Sequence, residues 1–431
     1  MRPRQWVYGS GVRWRVLAGL FLLSFITIVD RVCISAAKAD MAAELRIPDL
    51  AFGMVFGAFA LGYALFMIPA GWTADRWGTR RFLALIVALW SVFTLQTGLA
   101  GTVLLLVGVR FFFGAAESGA YPTAARAIYG WLPGAERGLA LGLLNTGSRL
   151  GAAVGLPLVS IMIASFGWRR CFMALGAAGI AWATWWFWWY REDPASKTGV
   201  SAEELKWIRS GSAGPAVAVK SDWRALVSRD SAFLLAQYFA CNFTFFLCFS
   251  WLLPYLRTRF GLDLRTASAY ASIPLYCGAL ATWTGGLSVD AIYRRGQRTL
   301  SRRLPAMFGF SVAALALLAA AHSRSVTAFV GWFALTTFGV DFTLSPSWSA
   351  SADLGGPQTG TLSAAMNMCG SIGAFASAIA FPWLLSATGN ITAYFVVAAT
   401  VDLAAVVMWA RLRIETRNSK LEACKASLVG K

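Results

Sequence analysis

Five ionisable side chains fall inside long apolar runs in the first half of the chain: Asp30, Arg31, Arg110, Glu117 and Arg149. A charged group at the centre of a spanning helix costs about 2.5–3.5 kcal/mol on insertion scales, so five unpaired ones would cost on the order of 15 kcal/mol. That equals the whole stability of an ordinary domain, so these groups must pair, line water, or both. Their types set the chemistry they can do. A guanidinium stays charged and makes two parallel hydrogen bonds to a carboxylate-like oxyanion, whereas a carboxylate enclosed beside it can take up and release a proton. Three arginines facing two acids are the signature of a site for an anion that moves together with protons. Spacing brings the groups together. Arg110 and Glu117 are two helical turns apart on one face, and Ser24, Thr27, Arg31 and Ser35 form a polar stripe. Asn145, Ser148 and Arg149 share a face, with Gly147, Gly151 and Gly155 opposite, where small residues allow close helix approach. The chain has one histidine and seven scattered cysteines without a C-x-x-C pair, and no Ser-x-x-Lys pattern. No metal site, cofactor or enzymatic centre is therefore expected.

The elements that position these groups must be membrane helices. Hydrophobic residues make up 58% of the 431 and charged ones 13%, against about 45–50% and 25% in soluble proteins. Twelve apolar stretches are long enough to span, near 14–37, 51–71, 82–101, 103–127, 138–162, 169–190, 231–256, 267–289, 303–321, 325–350, 358–386 and 391–411. The expected fold is all-α and integral to the membrane, with twelve helices in two six-helix bundles, 1–190 and 231–415. A linker over 191–230 and a tail over 416–431 complete the chain. Ser201-Ala-Glu-Glu204 in the linker is a capping-box pattern and predicts a short surface helix. The net charge of +18 (38 Lys and Arg against 20 Asp and Glu) would suggest nucleic acid in a soluble protein. Here 26 of the 38 fall on one side of the spans, eight on the other and four within them or at their ends. By the positive-inside rule both termini and the linker are cytoplasmic, in a cell (inner) membrane, and nucleic acid is not a partner.

The two halves repeat. Gly71-Trp-Thr-Ala-Asp75-Arg76-Trp-Gly78-Thr-Arg80-Arg81 closes the second span, and Gly286-Leu-Ser-Val-Asp290 followed by Arg294-Arg295 closes the eighth. The glycines and the aspartates are each 215 positions apart, half the chain. A duplicated six-helix unit with matching loop chemistry points to a transporter built from parallel repeats. Basic residues hold such a loop in the cytoplasm, and an aspartate beside a helix end can accept backbone N–H groups.

Gly-x-x-x-Asp-Arg-x-Gly-x-Arg-Arg resembles the signature loop of the major facilitator superfamily. The chain is similar, within it, to the anion:cation symporter family, which includes bacterial hexuronate, aldonate and aldarate permeases and the sialin and vesicular glutamate transporters. The residues carrying the resemblance run through most of the chain. They are Asp30-Arg31, Gly62-Tyr63-Ala64, Ile68-Pro69-Ala70-Gly71, Arg110-x-x-x-Gly114-x-x-Glu117-x-Gly119-x-x-Pro122, Trp131-Leu132-Pro133, Gly167-Trp168-Arg169, Gln237-Tyr-Phe, Pro254-Tyr-Leu256 and Asn367. The resemblance implies two bundles around a central site that opens alternately to each membrane face. It implies that Arg31 binds the substrate anion, that Tyr63, Gln237 and Asn367 hydrogen-bond its polar groups, and that Asp30 and Glu117 carry protons, with Arg110 pairing with Asp30. Tyr63 could instead be an interfacial or packing tyrosine, and Gln237 and Asn367 interhelical ties. Arg149 departs from the sugar-acid members and suggests a substrate with more negative charge, a dicarboxylate or a sulfonated carboxylate; it could instead snorkel or pair locally. Expected partners are thus a small organic anion, protons and the bilayer, with the protein monomeric. Proton-driven efflux and non-transporting substrate sensing are the competing functions. Asp341 and Asp402 also lie in spans and receive no role, and His322 is expected at the solvated outer end of the ninth span.

Overall fold

The computed structural model describes residues 11–209, 228–355 and 359–413, with the side chains at positions 75, 134, 135, 138, 145, 149 and 360 outside that description. Within it every long element is helical. The first half carries α1 (Val12–Leu45), α2 (Asp49–Trp77), α3 (Thr79–Leu99), α4 (Val103–Glu117), α5 (Ala120–Trp131), α6 (Gly134–Phe166), α7 (Trp168–Trp189) and the short α8 (Ala202–Arg209). The second carries α9 (Arg229–Phe246), α10 (Leu252–Phe260), α11 (Leu264–Arg294), α12 (Arg298–Ala321), α13 (Val326–Phe342), α14 (Leu344–Gly355), α15 (Thr359–Thr388) and α16 (Thr392–Arg411). Counting α4–α5, α9–α10 and α13–α14 as single interrupted spans, eleven segments are long and apolar enough to cross a membrane. The 31-residue α11 takes the remaining place, less apolar because of its Ser, Thr, Tyr and Arg content. This is the twelve-helix, all-α membrane fold expected from the hydropathy pattern.

Helix ends depart from the apolar runs for local reasons. α1 continues past 37 to Leu45, since nothing before Arg46, whose φ is 52°, interrupts it. Three spans are broken near prolines. Pro122 has no N–H to bond Ser118 O, and the fourth span breaks over Ser118-Gly119. Pro254 follows a π-helical turn, Leu247–Trp251. Pro346 follows the break at Thr343. The first and third breaks are repeat-related. Glu117, Gly119, Pro122 and Thr123 stand 224 positions before Asp341, Thr343, Pro346 and Ser347. Thr123 donates to Gly119 O and Ser347 to Thr343 O, the same i−4 bond in each half. Asp341, 2% exposed, is therefore the counterpart of Glu117.

Packing divides the chain into two compact units, Met1–Leu45 with Leu65–Val217 and Arg46–Ala64 with Ala218–Lys431. In the first, α1 packs on α6 and α3 on α7. In the second, the counterparts α9 with α15 and α12 with α16 make the same pairs. The α1–α6 contact depends on the glycine stripe. A Cβ on Gly147 would lie 2.8 Å from Phe21 O, one on Gly151 2.9 Å from Phe25 O, and one on Gly155 2.8 Å from Val29 Cγ2. Gly142, on the same helix, faces open space.

The contrast gives an expected outcome. Gly151→Ala must push α1 from α6 and should destabilise the protein by about 1–3 kcal/mol. Gly142→Ala should be neutral or stabilising by up to about 1 kcal/mol through helix propensity. Thermal unfolding of the two purified variants checks this, and equal melting temperatures would contradict the packing account.

Candidate functional site

Three helices of the first unit converge on the ionisable residues. α1 supplies Asp30 and Arg31, α4 supplies Arg110 and Glu117, and α3 adds Trp90. Asp30, Arg110 and Glu117 are 1%, 3% and 0% exposed. Arg31 Nε donates to Glu117 Oε1 at 2.6 Å, and the two partners differ in access: the Arg31 side chain is 18% exposed and that of Glu117 is sealed. An approaching solute can reach the guanidinium and not the acid. Glu117 Oε2 accepts no hydrogen bond from a described residue. The Arg110 guanidinium lies 4.5 Å from the Phe113 ring centroid and feels both Glu117 and Asp30. Neither oxygen of Asp30 has a partner at hydrogen-bond geometry among the described residues, and Glu117, Arg110 and the Trp90 indole are the groups acting on it. Two guanidiniums and two carboxylates thus share one enclosed space, which offsets charges that would each be costly alone.

A chain of hydroxyls adjoins the pair. Ser24 donates to Leu144 O at 2.7 Å, so its one proton is committed and it accepts from Ser148, 2.6 Å away. Ser148 in turn accepts from Tyr121 at 2.6 Å. The chain joins α1, α5 and α6, with Tyr121 one turn beyond Glu117 and Ser24 two turns before Arg31. Spacing in the sequence revealed Ser24 and Ser148, but Tyr121 carries no such mark because its helix restarts after a break. The side chains of Arg149 and Asn145, expected on this face, lie outside the described residues.

The other expected binding residues belong to the second unit. Tyr63 is 8% exposed, its ring 5.9 Å from that of Phe59. Gln237, 1% exposed, donates from Nε2 to Leu234 O at 2.9 Å and accepts from Trp409 Nε1 at 3.2 Å, with Ser347 Oγ at the same distance. These are the contacts of an interhelical tie between α9, α14 and α16. Asn367 is half-buried on α15. Asp402 is fully buried, with Thr244 Oγ1 3.0 Å from both its oxygens. His322 is exposed at the end of α12.

The signature loop is held by an acid that lies outside its own sequence. Gly78 has φ 76°, a left-handed conformation that favours glycine, and α3 starts immediately after it. The first N–H groups of α3, on Thr79 and Arg80, are accepted by the Glu192 carboxylate, the latter at 3.2 Å. An acid 113 residues away thus satisfies the helix N-terminus and its dipole. No local spacing marks Glu192. Arg80 Nε donates to Phe187 O at 2.7 Å, and Arg76 stacks 3.6 Å above Trp72. Arg81 is exposed, Gly71 has open space where a Cβ would stand, and the Asp75 side chain is outside the described residues. Asp290 is exposed within the last turns of α11 rather than beyond its end.

The linker helix forms where the capping-box pattern predicts it, with its inner face buried. Ser201 Oγ accepts the Glu204 N–H at 3.1 Å, half of a capping box. The Glu204 carboxylate, expected on a surface helix, is 0% exposed and accepts from the N–H groups of Val12 (3.4 Å) and Arg13 (3.1 Å) and from Arg13 Nη1 (3.2 Å). Arg13 Nε also donates to Glu136 Oε2 at 3.0 Å, and Trp207 Nε1 to Glu136 Oε1 at 3.0 Å. α8 is thereby docked on the starts of α1 and α6, with Glu204 capping α1.

With this geometry in hand, known proteins supply context. The profile of the Major Facilitator Superfamily matches residues 20–378. A protein of Cupriavidus necator named a probable sulfoacetate transporter is 32% identical over 90% of this chain and 91% of its own. A probable galactarate/D-glucarate transporter of Bacillus subtilis is 27% identical over 93% and 91%. A D-galactonate transporter of Escherichia coli is 28% identical over 91% and 94%. Among solved structures, a bacterial homolog of the human lysosomal transporter Spinster superposes with a TM-score of 0.72 over 93% of this chain and 95% of that one, at 20% identity. That likeness concerns the fold.

Removal of the Glu204 carboxylate leaves Arg13, 1% exposed, and the α1 N–H groups short of an acceptor. Arg13 keeps its Glu136 partner, so Glu204→Ala should cost about 1.5–3 kcal/mol, the worth of the lost charge-assisted hydrogen bonds. The exposed neighbour substitution Glu203→Ala should stay within about 0.5 kcal/mol. Thermal unfolding of both variants measures the difference.

Proposed function

The chain belongs to the major facilitator superfamily, and on that premise we propose that it imports a small organic dianion together with protons by alternating access. It is a multi-pass membrane transporter rather than an enzyme. The observation that carries the proposal is the Arg31–Glu117 pair: a sealed acid holding a guanidinium that a solute can reach. While Glu117 is ionised it occupies Arg31. A proton on Glu117 ends the ion pair and leaves the Arg31 charge for a substrate oxyanion, which can then be bound bidentately. Substrate and Glu117 thus compete for one guanidinium, and that competition is the coupling. Asp30, beside Glu117 and Arg110, is the second proton carrier. Import of each negative charge against an inside-negative potential costs about 2.3 kcal/mol per 100 mV, and two protons cancel the charge of a dianion. We take both termini to be cytoplasmic, a reading that the arginine bias supports.

The charge of the substrate follows from the side-chain count and from the relatives. Three arginines stand against two acids well inside the spans of the first half. The first two relatives are named for sulfoacetate and for galactarate and glucarate, each of which carries two acid groups. We take a sulfocarboxylate or a dicarboxylate to be the substrate, with Tyr63, Gln237 and Asn367 as candidate polar contacts and Arg149 as the additional cation.

Two experiments on purified protein in proteoliposomes test this. Under an inward proton gradient the wild type should accumulate sulfoacetate or glucarate in preference to galactonate. Glu117→Gln should lose gradient-driven accumulation while retaining exchange, and unimpaired accumulation would remove Glu117 from the mechanism. Arg149→Gln should reduce uptake of the dianions by at least about 10-fold, the equivalent of one charge-assisted contact, and spare the monoanion. Equal loss for both classes would overturn the dianion assignment.

A further inference from the structure

A groove of about 870 Å³ runs along the first unit between α1 and α7. It exists because its floor is built from small residues, Ala18 and Gly19 on α1 and Ala178 and Ala181 on α7. A Cβ on Gly19 would meet the Trp185 ring at 2.7 Å. Trp182 Nε1 donates to Gly19 O at 3.1 Å, which spends the polar atom of that indole and leaves its carbon surface to the groove. Leu22, Phe25 and Val29 line one wall, with Leu158 and Leu175 facing them. Leu22 and Leu158 are 49% and 44% exposed.

The two ends of the groove differ. α1 and α7 run in opposite directions, since Gly19 meets Trp182 while Cys33 meets Cys171, so Arg15 and Trp189 share one end. Lys197 sits there too, its ammonium 4.2 Å from the Trp189 ring centroid and donating to Trp189 O. Burial first, and then the nearby Arg191 and Arg80, push the Lys197 ammonium below its ordinary value. The other end, at Val29 and Leu175, is apolar. From Arg15 to Val29 the helix rises about 21 Å, and half of a 40–45 Å bilayer including headgroups is about 20–22 Å. The groove therefore has the depth of one leaflet, with cations at headgroup level and hydrocarbon surface below.

We propose that this groove binds one phospholipid with an anionic headgroup, its phosphate held between Arg15 and Lys197 and an acyl chain lying along Leu22, Phe25 and Val29. The chain end abuts Val29, the residue before Asp30 and Arg31, so the lipid supports the segment of α1 that carries the ion pair.

Native mass spectrometry of the delipidated full-length protein, titrated with dioleoyl phosphatidylglycerol, dioleoyl phosphatidylethanolamine or oleate, tests the assignment. Each Lys or Arg near a membrane surface favours an anionic lipid about 5-fold, so two give about a 25-fold preference for phosphatidylglycerol over phosphatidylethanolamine at the first site. Arg15→Gln with Lys197→Gln, both outside the packed core, should erase that preference. Ala178→Phe, which fills the floor, should weaken both phospholipids at least about 10-fold. A phosphatidylglycerol preference that survives the double substitution overturns the proposal. So does binding of oleate without phosphatidylglycerol, or wild-type affinity in an Ala178→Phe protein that still melts cooperatively. If Ala178→Phe fails to fold, the double substitution decides alone.

Discussion

A membrane interior tolerates ionised side chains where they pair or line water, and the Arg31–Glu117 contact is a pairing of this kind. Arg31 and Glu117 come from α1 and α4, and their 2.6 Å bond requires that those helices hold register. The glycine stripe of α6, which brings α1 to van der Waals contact, serves this end, as does the capping of the start of α1 by Glu204. The break after Glu117 serves it too. With Pro122 unable to continue the hydrogen-bond ladder, the acid sits at a helix end, and Tyr121, one turn on, binds the Ser148–Ser24 chain. Much of the first unit thus holds one ion pair in place while leaving its cationic member accessible.

The second unit repeats the frame with an acid but without the arginine that accompanies it in the first. The same helix pairs form, the same break follows an acid five residues before a proline, and the same hydroxyl-to-carbonyl bond follows the break. Asp341 stands where Glu117 does, but the position seven residues before it, Arg110 in the first half, is Ala334. Asp402 is met by a threonine hydroxyl rather than a guanidinium. In the proposed mechanism the coupling charges are gathered in one repeat, and the other contributes polar, uncharged groups. Gln237 shows the overlap of structure and function there: its contacts to Leu234, Trp409 and Ser347 fix three helices, so any substrate contact would compete with packing.

Two carboxylates outside the spans illustrate how the ends of the bundle are closed. Glu192 satisfies the start of α3 and Glu204 the start of α1, each from the far side of a long stretch of sequence. In both cases an anion meets the positive end of a helix whose own N–H groups have no internal acceptor. The signature loop and the linker are therefore tied to the first unit by hydrogen bonds, and their arginines remain at the edge: Arg80 on Phe187 O, Arg76 on Trp72.

By itself the sequence determined that the chain lies in a membrane, how many helices it has, that its halves repeat, and which five ionisable residues in the first-half spans demand an explanation. These follow from one-dimensional quantities: apolar run length, the 215-residue offset, and the cost of charge in hydrocarbon. Helical spacing also placed Arg110 with Glu117 and the α6 glycines on a packing face, because both relations lie within one helix. Tertiary structure alone decided the partners. That Arg31 bonds Glu117, that Tyr121 completes the hydroxyl chain, and that Glu192 and Glu204 cap distant helices are relations between segments 27 to 192 residues apart. Periodicity carries no information across that distance. It shows which way a side chain points on its own helix, and only the packing of helices shows what it meets.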